Sequence, residues 1–140
     1  MKRFSLMFGL ACTLAAASYA PAFAAMVDIG VTDAGKPVQG DPEAGKKVFV
    51  RCTACHSLDE GVNKIGPSLH GIIGRPAGTV PKFAYSAANK SSGITWNEQV
   101  IYEYLKSPQT MVKGTKMAFV GIPKAQERAD LIAYLKDASK

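Results

Sequence analysis

The stretch Cys52-Thr53-Ala54-Cys55-His56 gathers two thiols and an imidazole on one turn of chain. No other segment limits the possible folds so strongly. The third cysteine, Cys12, lies in an N-terminal leader. Met1-Lys2-Arg3 is a positive n-region, Phe4 to Ala17 is apolar and uncharged, and Ala22-Phe23-Ala24 is a small-residue processing site. This reads as a secretory signal peptide over residues 1–24, cleaved before Ala25. The rival, a retained anchor, is disfavoured because the apolar core falls short of the ~20 residues a membrane-spanning helix needs. Export implies an oxidising compartment, where two cysteines are expected to pair as a disulfide or to work as a thiol redox pair.

Neither thiol chemistry suits the rest of the chain. A thioredoxin-like dithiol needs strands alternating with helices, and no convincing strand run stands out. A zinc cage needs a second pair of ligands, whereas His56 and His70 are the only histidines. The C-x-x-C-H spacing is instead that of a c-type haem attachment site, where each thiol forms a thioether with a porphyrin vinyl group. The following histidine then meets the iron from the proximal side. One covalent haem c, bound through Cys52 and Cys55 with His56 as a metal ligand, is the expected cofactor.

The 140 residues have single-domain length. Loss of the leader removes Lys2 and Arg3 and takes the net charge from +6 to about +4. That balance favours acidic protein or membrane partners. No Lys/Arg run is present, so nucleic acid is excluded as a partner.

Residues 25–40 read as a flexible lead-in, rich in turn residues. A domain over 41–140 follows. Asp41-Pro42-Glu43 starts a helix expected to run to about Cys55, with Ala44, Val48 and Cys52 on one face. Ser57 to Lys82 is rich in glycine and proline, a long loop that makes sense wrapped around a large rigid ligand. Ser86 to Lys90 suits a short helical turn. Thr95-Trp96-Asn97-Glu98 has the form of a capping box opening a helix through Lys106, and Ser107-Pro108 stops it. A last helix spans Lys124 to Ala138, with Leu131, Ile132, Tyr134 and Leu135 inward. The fold class is all-α: three main helices and long loops around the haem. An electron-carrying haem takes a second axial ligand, for which Met111, Met117 and His70 are the candidates, with Met26 in the lead-in.

The motifs "CTACH", "GPSLHGIIGR", "FAYSAANK", "GITW", "YEYLKSP", "GTKMAFVGI" and "ERADLIAYLK" occur in that order. With them, residues 41–139 resemble the class I cytochromes c, the mitochondrial proteins and the bacterial periplasmic c2 group. The resemblance implies Met117 as the second metal ligand. It implies that Gly45 and Phe49 pack on Leu131 and Tyr134, and that Pro67 accepts a hydrogen bond from His56. Arg75, Tyr85 and Trp96 would hold the haem propionates. Asn89, Tyr104 and Thr115 would form a network beside the methionine, and Phe119 would shield the haem edge. Arg51, Lys64, Lys116 and Lys124 fit the family's basic ring, but Gln109 and Thr110 stand where lysines are common.

The function so implied is that of a monomeric one-electron carrier of the bacterial periplasm, not an enzyme. A cytochrome bc complex would be the donor, and a terminal oxidase or photosynthetic reaction centre the acceptor. The alternative is a haem enzyme, a peroxidase or ligand-activating cytochrome with a labile sixth site.

Overall fold

A computed structural model describes residues 25–140. The leader expectation, with Cys12, lies outside them. Helices and loops dominate, and two small two-stranded sheets are added. Strand β1 is Val27–Asp33, β2 Lys36–Gly40, and helix α1 Pro42–Phe49. Then follow β3 Arg75–Pro76, α2 Ala87–Lys90, β4 Thr95–Trp96, α3 Glu98–Tyr104, α4 Pro108–Met111 and α5 Ala125–Ala138.

Residues 25–40 are a β-hairpin, which corrects the flexible lead-in expected there. β1 and β2 pair antiparallel, with Asp33 opposite Lys36 and a bulge between Asp28 and Val31. The two-residue turn Ala34-Gly35 has φ of 48° and 76°, the doubly left-handed geometry that suits hairpin twist. The physical reason for order is burial: Ile29 and Val31 are 0% and 1% exposed in the main core. Gly40 ends the hairpin against α5, where a Cβ would sit on the Ala129 carbonyl and 3.0 Å from Ala133 Cβ.

Asp41 caps α1 by accepting from the Glu43 amide at 2.9 Å, with Pro42 in the first helical turn. The helix ends at Phe49 rather than near Cys55. Beyond it the chain tightens into three-residue turns, Arg51 N to Val48 O and Cys52 N to Phe49 O. α1 crosses α5 at Gly45, where a Cβ would overlap the Asp130 carbonyl. Phe49 meets the Tyr134 ring at 5.4 Å. The expected contact of Gly45 and Phe49 with Tyr134 is therefore present, with the Asp130 backbone as the main neighbour of Gly45.

α3 starts two residues later than the Thr95 capping box predicts. Asn97 is the cap, accepting from the Val100 amide at 2.8 Å. Thr95 and Trp96 are drawn into β4, opposite Pro76 and Arg75 of β3. α2 forms over the expected Ser86–Lys90 turn, with the Ser86 hydroxyl accepting from the Asn89 amide at 3.1 Å. Ile101, Tyr104, Leu105, Leu131, Ile132 and Leu135 belong to the same core cluster as Ile29 and Trp96.

Candidate haem site

The proximal side is built by the turn after α1 and the loop that follows. His56 N donates to Cys52 O at 2.8 Å, which closes one helical turn around the motif. The imidazole Nδ1 then lies 2.7 Å from the Pro67 carbonyl. A carbonyl only accepts, so Nδ1 carries the proton and Nε2 keeps its lone pair for a metal. Burial holds the imidazole below the usual histidine range, with the charges of Arg75 and Lys64 adding to the effect and the Pro67 bond opposing it. The neutral ring is the ligand form. Gly66 matters here, and sequence reasoning missed it: a Cβ there would sit on the ring's Cε1 and 2.8 Å from Nε2. Its signal is its place immediately before Pro67.

Cys52 and Cys55 form no disulfide with each other. Burial pushes the Cys52 thiol up to about 11, against the pull of the Arg51 charge. A thiol redox pair needs a lowered pKa, so this environment opposes thioredoxin-like chemistry. Among the described residues no three His, Cys, Asp or Glu side chains converge on a bare ion.

The second cluster forms across β3 and β4. Arg75 donates through Nη1 to His70 O at 2.6 Å and through Nη2 to Ser68 O at 2.9 Å. Among the described residues no carboxylate faces this half-buried guanidinium in an ion pair. Burial lowers its pKa and raises that of the Tyr85 hydroxyl, and each group's charge acts on the other. Trp96 pairs with Arg75 in the β3–β4 register, and its ring lies 4.8 Å from Tyr104. His70 contributes its carbonyl to Arg75.

Met117 is the anchored methionine. Its Sδ accepts from the Tyr104 hydroxyl at 3.2 Å. Its amide donates to Thr115 Oγ1 at 3.2 Å, and its carbonyl accepts from Gln109 Nε2 at 2.5 Å. The Thr115 hydroxyl also reaches Tyr104, whose pKa burial raises. Gln109, read from the sequence only as a missing lysine, thus holds the Met117 backbone. Met111, by contrast, is 40% exposed at the end of α4, and Met26 is 47% exposed. Phe119 is partly buried against the core, as are Met117 and Cys52.

These residues fit a haem. Asn89 Oδ1 is buried with no partner, although Ser86 and α2 fix its backbone. The half-buried Arg75 cation, without an acid in an ion pair among the described residues, is explained by an anionic group such as a haem propionate lying against it.

The basic positions are less free than the sequence implied. Arg51 Nη1 and Lys124 Nζ both bridge Glu127, at 2.8 and 3.1 Å. Lys64 Nζ donates to Thr53 O at 2.9 Å, beside the cysteine turn, and Lys116 Nζ reaches Ala84 O at 3.4 Å.

A helical fold whose loops carry a C-x-x-C-H turn, an oriented imidazole and an anchored methionine defines a c-type haem protein. The comparisons make the class specific. The cytochrome c family model matches residues 42–139. Cytochrome c type-1 of Ascaris suum is 52% identical over 103 residues, 73% of this chain and 92% of the relative. Cytochrome c of Ginkgo biloba is 46% identical over 102 residues, 71% and 90% of the two chains. The solved structure of cytochrome cH from Methylobacterium extorquens superposes with a TM-score of 0.66 at 43% identity, covering 69% of this chain and 98% of that one. The chain belongs to the cytochrome c family. It is accordingly an electron carrier with covalently bound haem c, and these relatives lend no support to the haem-enzyme alternative.

Proposed function

We propose that Cys52 and Cys55 would hold the haem covalently, that His56 and Met117 would ligate its iron, and that the chain shuttles electrons in the periplasm. The observation that carries the ligand assignment is the Tyr104 hydroxyl on Met117 Sδ, a restraint that Met111 lacks. When bound, the haem iron supplies a one-electron couple between its ferrous and ferric forms. Pro67 orients the imidazole, and Tyr104, Thr115 and Gln109 hold the thioether side chain and its backbone. Arg75, Tyr85 and Trp96 offer donors for the propionates, and Asn89 joins Tyr104 and Thr115 in the network beside the methionine. Phe119 keeps water from the Met117 side.

The leader supports export, with residues 1–24 removed. No helix among the described residues is long and apolar enough to cross a membrane. Redox partners belong to the family's role. A cytochrome bc complex as donor, and a terminal oxidase or photosynthetic reaction centre as acceptor, are the pairings we propose. Among the described residues Lys64 and Lys116, unlike Arg51 and Lys124, have no acidic neighbour in an ion pair, so we assign them the leading part in attracting acidic partners.

Spectroelectrochemical titration tests the ligands. Met117→Ala is expected to lower the reduction potential sharply, and Met111→Ala to leave it near wild type. The reverse pattern overturns the assignment.

A further inference from the structure

The hairpin lies outside the part of the chain that the family model matches, which begins at Pro42. Its free edges are not open for docking. Thr32 N donates to Gln99 Oε1 of α3 at 2.9 Å, Lys136 Nζ of α5 donates to Ile29 O at 3.2 Å, and Gln126 Nε2 of α5 donates to Gln39 O at 3.0 Å. These bonds staple both strands to the helices beneath.

α3 is gripped through a buried side chain as well. The Tyr102 hydroxyl donates to Asp33 Oδ2 at 2.7 Å, from a side chain that is 1% exposed. The Arg128 guanidinium covers the same ring, 4.5 Å from its centroid. Lys136, which holds Ile29, also pairs with Glu98 of α3 at 3.2 Å. A seven-residue helix has little stability of its own, so these tertiary ties decide whether it keeps its place.

The other end of α3 supports the methionine loop twice. Tyr104 donates to Met117 Sδ, and Leu105 O accepts from the Ile122 amide at 2.7 Å. Gly121 packs so closely there that a Cβ would sit on the Lys106 carbonyl. The Met117–Gly121 segment is therefore hung on the C-terminal end of α3, while the hairpin fastens the helix at Gln99 and Tyr102.

We infer that the N-terminal hairpin is a strap that fixes α3 and so keeps Met117 seated, with Asp33, Tyr102 and Gln99 as positioning residues that never touch the haem. The inference rests on Met117 being an axial ligand. Loosening the strap lets α3 tilt, withdraws the Tyr104 hydroxyl, and frees the sulfur to yield to outside ligands.

Two readouts on the exported holoprotein test this: imidazole affinity of the ferric form, and amide hydrogen exchange of α3 against α1. Asp33→Ala and Tyr102→Phe should each tighten imidazole binding about threefold, with the double variant no worse than either single. Asp33→Asn keeps an acceptor and should stay near wild type. Deletion of residues 27–39 should tighten binding about tenfold or more. In each affected variant the α3 amides should exchange faster while those of α1 hold. If the deletion does not accumulate as folded protein, the two point variants decide alone. Unchanged imidazole affinity in them, or exchange that rises equally in α1 and α3, overturns the strap. Met117→Ala separates the two claims. If it fails to tighten imidazole binding, the ligand assignment falls, and the α3 exchange alone then decides whether the strap exists.

Discussion

Gly45→Ala is expected to destabilise the protein even though alanine is the better helix former. The added Cβ would overlap the Asp130 carbonyl oxygen and lie 2.5 Å from its carbon and 2.8 Å from Tyr134 Cβ. Carbon atoms in ordinary contact stand about 3.5–4.0 Å apart, so α1 and α5 must separate by roughly 1 Å. Overpacking of this kind costs ~1–3 kcal/mol. Separation also weakens the Phe49–Tyr134 pair, worth ~0.5–1.5 kcal/mol beyond its buried area. The helical gain from removing glycine offsets ~1 kcal/mol. The net loss is about 1–3 kcal/mol, and at ~4 °C or more per kcal/mol the melting temperature should fall by ~5–10 °C. Thermal unfolding of the holoprotein by circular dichroism measures it, with Lys46→Ala on the exposed face of the same helix as control. A Gly45→Ala protein that melts at or above wild type would refute the close-approach argument.

Three further outcomes are expected. Cys52→Ala with Cys55→Ala should leave a haem-free chain with no cooperative thermal transition, because the remaining core is small for a domain of this length; calorimetry of the purified double variant checks this. Glu127→Gln should release Arg51 and Lys124, speed electron transfer to an acidic partner at low salt, and lose that advantage as salt rises, in a stopped-flow series. The hydrogen bonds from Lys124 and Arg51 hold the Glu127 carboxyl below its ordinary value, so its small stabilising share is present above the unfolded carboxylate pKa and lost as pH falls through the folded one. Melting curves of wild type and Glu127→Gln should therefore converge in acid.

How far the chain was readable from its sequence depends on the kind of signal. The haem turn was legible because its chemistry is local: thiol spacing and the adjacent imidazole leave little freedom. α5 and the Asp41 cap of α1 were legible from periodicity and capping. The hairpin was not recognised, although Val27, Ile29 and Val31 alternate with Asp28, Gly30 and Thr32. Its turn is Ala-Gly rather than Asn-Gly or Asp-Gly, and Pro37 and two glycines dilute the strand signal. The sequence reads Thr95 as the cap because the β3–β4 pairing that removes Thr95 and Trp96 is long-range. Gly66 and Gln109 escaped for the same reason: their roles exist only once His56 and Met117 are in place.

The central claim is that Met117 completes the iron's coordination opposite His56. X-ray absorption at the iron edge of the ferric holoprotein tests it most directly. The account predicts one sulfur scatterer that persists in Met111→Ala and disappears in Met117→Ala; a sulfur-free first shell in the wild type, or a sulfur lost with Met111 instead, would contradict it.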